Sequence, residues 1–242
     1  MNKQAGRLIG VGMGPGAVRY LTLEAVEVLR RADILIDVAG PRTQESLSER
    51  IIDELGGCGG ERVHFVTPMS RDLDARSQQW AAHAKKVLSW IHDGKEVAYV
   101  TLGDPLIYST FGYLRRALLA WDPHVCVEVV PGITSFQTAA SRTGEPLLEN
   151  DEILALLPAT LDSVKREALL AHVDTAVLLK AVREKPEVIQ SVNAILEAKS
   201  FVYASRLEMV DEFVTTNPVT AMSQPDGYLS LFISRRKHHD YY

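Results

Sequence analysis

The stretch VGMGPG at residues 11–16 follows the apolar run RLIG (7–10) and precedes the amphipathic segment LTLEAVEVLRRADILI (21–36). A strand, a glycine-rich turn and a helix in this order open many dinucleotide-binding folds. A G-x-G-x-x-G fingerprint fails in both registers, because Pro15 and Ala17 stand where its last glycine belongs. Proline also has no N–H to offer a pyrophosphate. The stretch therefore predicts an α/β fold and argues against a nicotinamide or flavin site, while a simple tight turn would explain its glycines as well.

The composition is that of a well-packed globular protein. The 242 residues are 46% hydrophobic and 24% charged, with a net charge of −5, so there is no overall basic surface for nucleic acid or an anionic membrane. Cys58 and Cys126 are too few for a disulfide framework and lack the spacing of a zinc site. The sequence contains no secretory signal and no stretch near the ~20 apolar residues of a membrane span. We therefore expect a cytoplasmic protein with neither a nucleic-acid nor a membrane partner.

Strand-length apolar runs alternate with helical patterns through the first half, which predicts α/β order. The helix after the glycine turn is predicted to form a broad apolar face from Leu23, Val26 and Leu29 with Leu21 and Val28, and to cover one face of a sheet. The second half is richer in strands per helix, so a mixed sheet is expected there. The sequence thus predicts two α/β domains, residues 1–135 and 136–242.

Two further turns follow predicted strands, LGDPLIY at 102–108 and VVPGITSF at 129–136. In the first, Asp104 stands just past the carboxyl end of the strand, and capping of the turn is the alternative role for this carboxylate. In the second, Thr134 and Ser135 precede a helix, which they can also cap. Because open α/β sheets bind ligands at the carboxyl ends of their strands, the three turns together predict a pocket at one edge of a sheet.

These stretches, in this order, resemble the tetrapyrrole methylase family of S-adenosylmethionine-dependent enzymes over nearly the full length. Within the family, TPMSRD (67–72), TLGDPLIYSTF (101–111) and AVLLKA (176–181) are similar to the branch that methylates C20 of precorrin-2 or cobalt-factor II in cobalamin biosynthesis. The resemblance implies two α/β domains with S-adenosylmethionine in the cleft between them, a tetrapyrrole substrate and a homodimer. Methylation at another ring position or of uroporphyrinogen III is the near alternative, and a non-catalytic binding protein is the distant one.

The resemblance also implies which residues contact the cofactor. They match family positions in the three turns and at two later strand ends, and they are Pro15, Leu102, Gly103, Asp104, Ile107, Thr134, Ser135, Lys180 and Arg206. Lys180 stands where some branches carry methionine. Ala17 stands where many members carry aspartate, which leaves the first turn without a carboxylate for proton transfer.

A sulfonium is already a good leaving group, so positioning should supply most of the catalysis, and no catalytic base is predicted. Tyr108 is the candidate for orienting the substrate, with packing beneath the loop as the alternative. A tetrapyrrole carries many carboxylates, which arginine binds well. The candidates are Arg19, Arg71 and Arg142, and a solvated or structurally paired arginine is the alternative at each. The seven histidines show no ligand spacing, so we expect no protein-bound metal.

Overall fold

The computed structural model describes residues 6–39, 46–66, 73–180, 185–225, 227 and 229–236. The chain forms two compact units, Met1–Thr134 and Ser135–Tyr242. Each unit has its own five-stranded sheet. None of the helices in the described ranges has both the length and the apolar character needed to cross a bilayer.

The first unit alternates strands and helices around a parallel sheet with strand order β3-β2-β4-β1-β5. A short 3₁₀ turn (Val18–Tyr20) precedes α1. The elements are β1 (Arg7–Gly12), α1 (Leu23–Arg31), β2 (Ile34–Ala39), α2 (Leu47–Glu54), β3 (Glu61–Val66), α3 (Leu73–His92), β4 (Glu96–Thr101), α4 (Phe111–Trp121) and β5 (Val127–Val130). The α/β order predicted for the first half is therefore confirmed.

Both faces of this sheet are covered, which explains why its strands read as continuous apolar runs. Leu8 on β1 packs in one core with residues of α3 and α4, whereas its neighbour Ile9 packs in another with residues of α1 and α2. Successive side chains of a strand point to opposite faces, so each strand contributes to both cores.

One residue of the buried face expected for the helix after the glycine turn was assigned wrongly. The Thr22 hydroxyl accepts a hydrogen bond from the Ala25 amide and caps α1. Ala25, Val28 and Leu29 are the residues that α1 buries, while Leu23 is 85% exposed. Leu23 lies about 200° around the helix from Ala25, so the two residues cannot share a face.

The second unit contains a mixed sheet with strand order β6-β7-β10-β8-β9. Strands β6 and β7 are parallel, and the other neighbours are antiparallel. The elements are α5 (Ser135–Thr143), β6 (Leu154–Pro158), α6 (Ser163–Leu170), β7 (Thr175–Leu179), α7 (Lys185–Leu196), β8 (Ser200–Ser205), β9 (Phe213–Thr215), α8 (Pro218–Met222) and β10 (Ser230–Arg235).

Candidate functional site

Three loops meet at the carboxyl edge of the first sheet, where β4, β1 and β5 are neighbours. We call them the first loop (13–17, after β1), the GDP loop (102–110, after β4) and the PG loop (131–134, after β5). The Gly103 amide donates to the Gly14 carbonyl at 2.7 Å, and the Met13 amide donates to the Thr101 carbonyl at 2.9 Å. The first loop and the GDP loop are thus hydrogen-bonded to each other immediately beyond their strands.

Two glycines allow the strand ends to approach more closely than any side chain would permit. A Cβ on Gly12 would lie 2.5 Å from the Cα of Gly132, and a Cβ on Gly132 would lie 2.1 Å from the carbonyl oxygen of Gly103. Real Cβ atoms do not make such contacts, so both positions require glycine. Gly12 of the opening stretch therefore serves the close packing of two strand ends.

Gly103 has a different role in the same edge. Its φ is +66°, and a Cβ built on it would meet no atom within 4 Å. The backbone of the GDP loop is therefore open on this side, and side chains are absent where a ligand can approach. Leu102 directly precedes Gly103 and Ile107 follows it by four residues, and both side chains are half-buried.

The carboxylate of Asp104 joins the GDP loop to the PG loop. One oxygen accepts a hydrogen bond from the Leu106 amide at 2.8 Å, and the other accepts from the Gly132 amide at 3.1 Å. The bond to Leu106 is the turn-capping role weighed in the sequence analysis. The bond to Gly132 is a second role, between loops, that sequence reasoning missed.

The first loop accepts a hydrogen bond from a residue of α2 that sequence reasoning also missed. Pro15 is buried between two glycines with positive φ, Gly14 at +71° and Gly16 at +146°. The Arg50 guanidinium on α2 donates to the Gly16 carbonyl at 3.1 Å. No motif signals Arg50, because this contact depends on how α2 packs against the loop.

The remaining candidates near this edge differ in burial. Thr134 is buried and directly precedes α5, whose first residue is the half-buried Ser135. Tyr108 is exposed and has a φ of +48°, which is a genuine outlier for a bulky side chain. Partial burial raises the pKa of the Tyr108 phenol, so the hydroxyl keeps its proton and can donate a hydrogen bond.

In the second unit, Lys180 and Arg206 lie at the same edge of the sheet, on either side of β10. Lys180 follows β7 and donates its amide to the Ser230 carbonyl at 3.0 Å, and Arg206 follows β8 and donates to the Leu229 carbonyl at 2.8 Å. Both have positive φ, +61° and +50°. The Arg206 guanidinium also pairs with Asp211 at 2.9 Å.

The three arginines expected near substrate carboxylates differ in what the structure shows. Arg19 is exposed, with its guanidinium 5.4 Å from the ring centroid of Tyr20. Arg71 lies outside the described residues. Arg142 pairs with Glu208 and, through two nitrogens at 2.8 and 3.2 Å, with Glu212. Arg142 is therefore structurally paired, as in the alternative given for it, and its role in substrate binding stays a prediction.

Comparison with known proteins gives this arrangement its context. A family model for Tetrapyrrole (Corrin/Porphyrin) Methylases matches residues 7–222. The chain is 33% identical over 241 residues to the probable cobalt-precorrin-2 C(20)-methyltransferase of Methanocaldococcus jannaschii, covering 98% of this chain and 99% of that protein. It is 32% identical over 223 residues to the precorrin-2 C(20)-methyltransferase of a Sinorhizobium species, covering 87% of each.

Solved structures agree on the fold. The uroporphyrin-III C-methyltransferase of Thermus thermophilus, complexed with S-adenyl homocysteine, matches with a TM-score of 0.66 at 23% identity, covering 95% of this chain and 97% of that one. The predicted fold class, two α/β domains of the tetrapyrrole methylase type, is therefore confirmed. Because the family model extends over both compact units, this chain belongs to the tetrapyrrole (corrin/porphyrin) methylases.

Proposed function

We propose that this chain is an S-adenosylmethionine-dependent methyltransferase that methylates C20 of precorrin-2 or of its cobalt form in cobalamin biosynthesis. The observation that carries this proposal is the near-full-length similarity to a relative named for C20 methylation, 33% identical over 98% of the chain. A second relative with the metal-free substrate in its name is almost equally similar. The ring position is therefore better supported than the metal content of the substrate.

The cofactor contacts that we propose in the first unit use backbone more than side chains. Gly103 leaves the GDP loop open to a ligand, and Leu102 and Ile107 provide apolar surface next to it. Asp104 contributes its backbone and fixes the loop, because both oxygens of its carboxylate already accept amide hydrogen bonds. Pro15, Thr134 and Ser135 remain proposed contacts. A cationic sulfonium needs no charged partner to react, only a fixed direction of approach, and this edge can supply one.

Lys180 and Arg206 remain proposed cofactor contacts of the second unit. Family position supports them, and so does their left-handed backbone, which proteins retain most often at functional sites. Arg19 and Arg71 remain the proposed partners of substrate carboxylates, and Tyr108 remains the proposed residue for orienting the ring.

The reaction breaks the methyl–sulfur bond of the cofactor, forms a bond from that methyl to C20, and later loses the proton from C20. Holding the methyl group in line with the attacking carbon can supply roughly 7–11 kcal/mol. Three loops fixed to one another by backbone hydrogen bonds are suited to that task, since little movement is needed during reaction. The carboxylate of Asp104 is engaged with two amides and is not assigned as the base.

We further propose that the enzyme works as a homodimer in the cytoplasm. Unpaired Cys58 and Cys126 fit a reducing compartment. The dimer rests on the family resemblance, and size-exclusion chromatography with light scattering tests it.

Methylation of uroporphyrinogen III is the second candidate function, because a Thermus thermophilus neighbour named as a uroporphyrin-III C-methyltransferase shares the fold. The lower identity of 23% places it behind C20 methylation. The two functions differ in the carbon that receives the methyl group.

The decisive experiment is an anaerobic assay with S-adenosylmethionine labelled with ¹³C in its methyl group. Precorrin-2, cobalt-factor II and uroporphyrinogen III are supplied in parallel, and the product is read by mass and by NMR. A single labelled methyl on C20 of either of the first two supports the proposal and chooses the substrate. Label on uroporphyrinogen III alone establishes the second function, and binding of S-adenosylhomocysteine without turnover of any substrate favours a binding protein.

A further inference from the structure

Three side chains with metal-ligating atoms converge in the first unit, outside the three loops described above. They are Asp37 on β2, Glu49 on α2 and His64 on β3. Asp37 and His64 are direct neighbours in the parallel pairing of β2 with β3. Asp37 shares the sheet face of Leu35, which packs in one core with residues of α2. Three separate elements thus each bring one ligand to the same place.

The distances within this group are short. The Nε2 of His64 lies 2.9 Å from an oxygen of Glu49, and its Nδ1 lies 4.0 Å from an oxygen of Asp37. One ligand atom from each residue falls within 4.8 Å of the other two. An imidazole nitrogen with two carboxylate oxygens is a mixed donor set that divalent first-row metals accept.

Both carboxylates also accept hydrogen bonds that fix their orientation. The second oxygen of Glu49 accepts from the Ser46 amide at 2.9 Å, and one oxygen of Asp37 accepts from the Val38 amide at 2.8 Å. The Ser46 hydroxyl hydrogen-bonds the other oxygen of Asp37. Outer hydrogen bonds of this kind hold metal ligands in position in known sites. In each carboxylate, one oxygen accepts a hydrogen bond from a main-chain amide and the other faces His64.

The charge of the group favours a bound cation. Asp37 is 3% exposed, and its ligand oxygen and that of Glu49 lie within 4.8 Å of each other and of one ring nitrogen of His64. A buried carboxylate requires compensation, and a second carboxylate beside it adds to the negative charge of the group. A divalent ion can offset both.

We propose that Asp37, Glu49 and His64 bind a divalent transition-metal ion of the Zn²⁺, Co²⁺ or Mn²⁺ class. The ion takes one ring nitrogen of His64 and one oxygen from each carboxylate, replacing the hydrogen bond between His64 and Glu49, and water completes its coordination. This proposal departs from the expectation of no protein-bound metal, and it is independent of the methyltransferase function.

The test titrates the full-length protein with ZnCl₂ by calorimetry and with CoCl₂ by visible absorption. His238 and His239 adjoin each other in the sequence and can chelate metal by themselves, so the titrated protein carries glutamine at both positions. We expect one equivalent to bind, with ligand-field bands for Co²⁺. His64→Gln and Glu49→Gln should each weaken binding at least about tenfold.

The matched control is His92→Gln. His92 lies 3.1 Å from Asp122, so it offers an imidazole with a carboxylate but is not part of a three-ligand group among the described residues. This variant should leave the affinity unchanged. Circular dichroism verifies that each variant is folded, and Zn²⁺ should raise the melting temperature of the parent but not of His64→Gln.

The proposal is overturned by the absence of saturable binding at millimolar metal. It is also overturned if one equivalent binds with an affinity that both His64→Gln and Glu49→Gln leave intact, or if His92→Gln weakens binding as much as His64→Gln does. Glu49→Gln keeps an oxygen for the Ser46 amide, so it tests the site even if His64→Gln unfolds.

Discussion

Replacing Asp104 by asparagine should loosen the candidate site from within. The carboxylate accepts two amide hydrogen bonds, from Leu106 and from Gly132, and hydrogen bonds to a charged group contribute about 1.5–3 kcal/mol each. Asparagine keeps one acceptor oxygen but turns an NH₂ group toward the other amide. The PG loop or the turn at Leu106 therefore loses its anchor, at a cost of about 2 kcal/mol.

Three measurements follow from that magnitude. The melting temperature of the ligand-free Asp104→Asn protein should fall by about 4–8 °C. If the reacting complex also loses about 2 kcal/mol of stabilisation because the loop is displaced, kcat/KM should fall about thirtyfold. Calorimetry should show weaker binding of S-adenosylhomocysteine in proportion.

The control is Asp151→Asn, the same exchange at an exposed position of the second unit, which should leave melting and kinetics unchanged. A variant of Asp104 that melts like the parent when ligand-free but binds S-adenosylhomocysteine poorly would refute the reasoning. That result would mean that the carboxylate contacts the cofactor directly instead of fixing the loops.

Three further substitutions test other contacts. Gly132→Ala places a Cβ 2.1 Å from the Gly103 carbonyl, so differential unfolding should show a loss of about 2 kcal/mol or more, together with loss of S-adenosylhomocysteine binding. Arg142→Met removes the guanidinium that pairs with the carboxylate of Glu208, whose side chain is 3% exposed. Denaturant unfolding should therefore show that the free energy of unfolding falls by about 3 kcal/mol. A raised KM for tetrapyrrole at unchanged stability would instead identify Arg142 as a substrate contact. Tyr108→Gly removes a left-handed tyrosine and should stabilise the protein by about 1 kcal/mol while lowering kcat, and unaltered kcat would show that the ring does not orient the substrate.

The features that the sequence predicted are those encoded by neighbouring residues. Alternating apolar runs and glycine turns indicated the α/β order, and the spacing of strand and turn located the GDP loop and the PG loop at strand ends. Each depends on contacts within about a turn of helix or a strand, which is the range over which periodicity carries information.

The features that it could not predict depend on residues far apart in the chain. The second bond of Asp104 reaches 28 residues ahead to Gly132, and Arg142 finds Glu212 at a separation of 70 residues. Leu23 was assigned to the wrong face of α1 because Ala25 contributes little hydrophobicity to the pattern yet packs in the core. A hydrophobic pattern does not show which residues that are distant in sequence will meet in space. It also does not show whether a small residue will pack in the core.

Three of the proposed site residues have a strained backbone conformation. Tyr108, Lys180 and Arg206 all have left-handed backbone, although such a conformation costs about 1–2 kcal/mol for a residue with a side chain. Lys180 and Arg206 keep it through amide hydrogen bonds to the start of β10, and glycine at either position would remove the cost. Asn150, Glu197 and Glu208 have the same backbone conformation, so it does not by itself mark a ligand site. Strained backbone of this kind clusters at functional sites, so it agrees with the proposed roles of Tyr108, Lys180 and Arg206, which rest on family position.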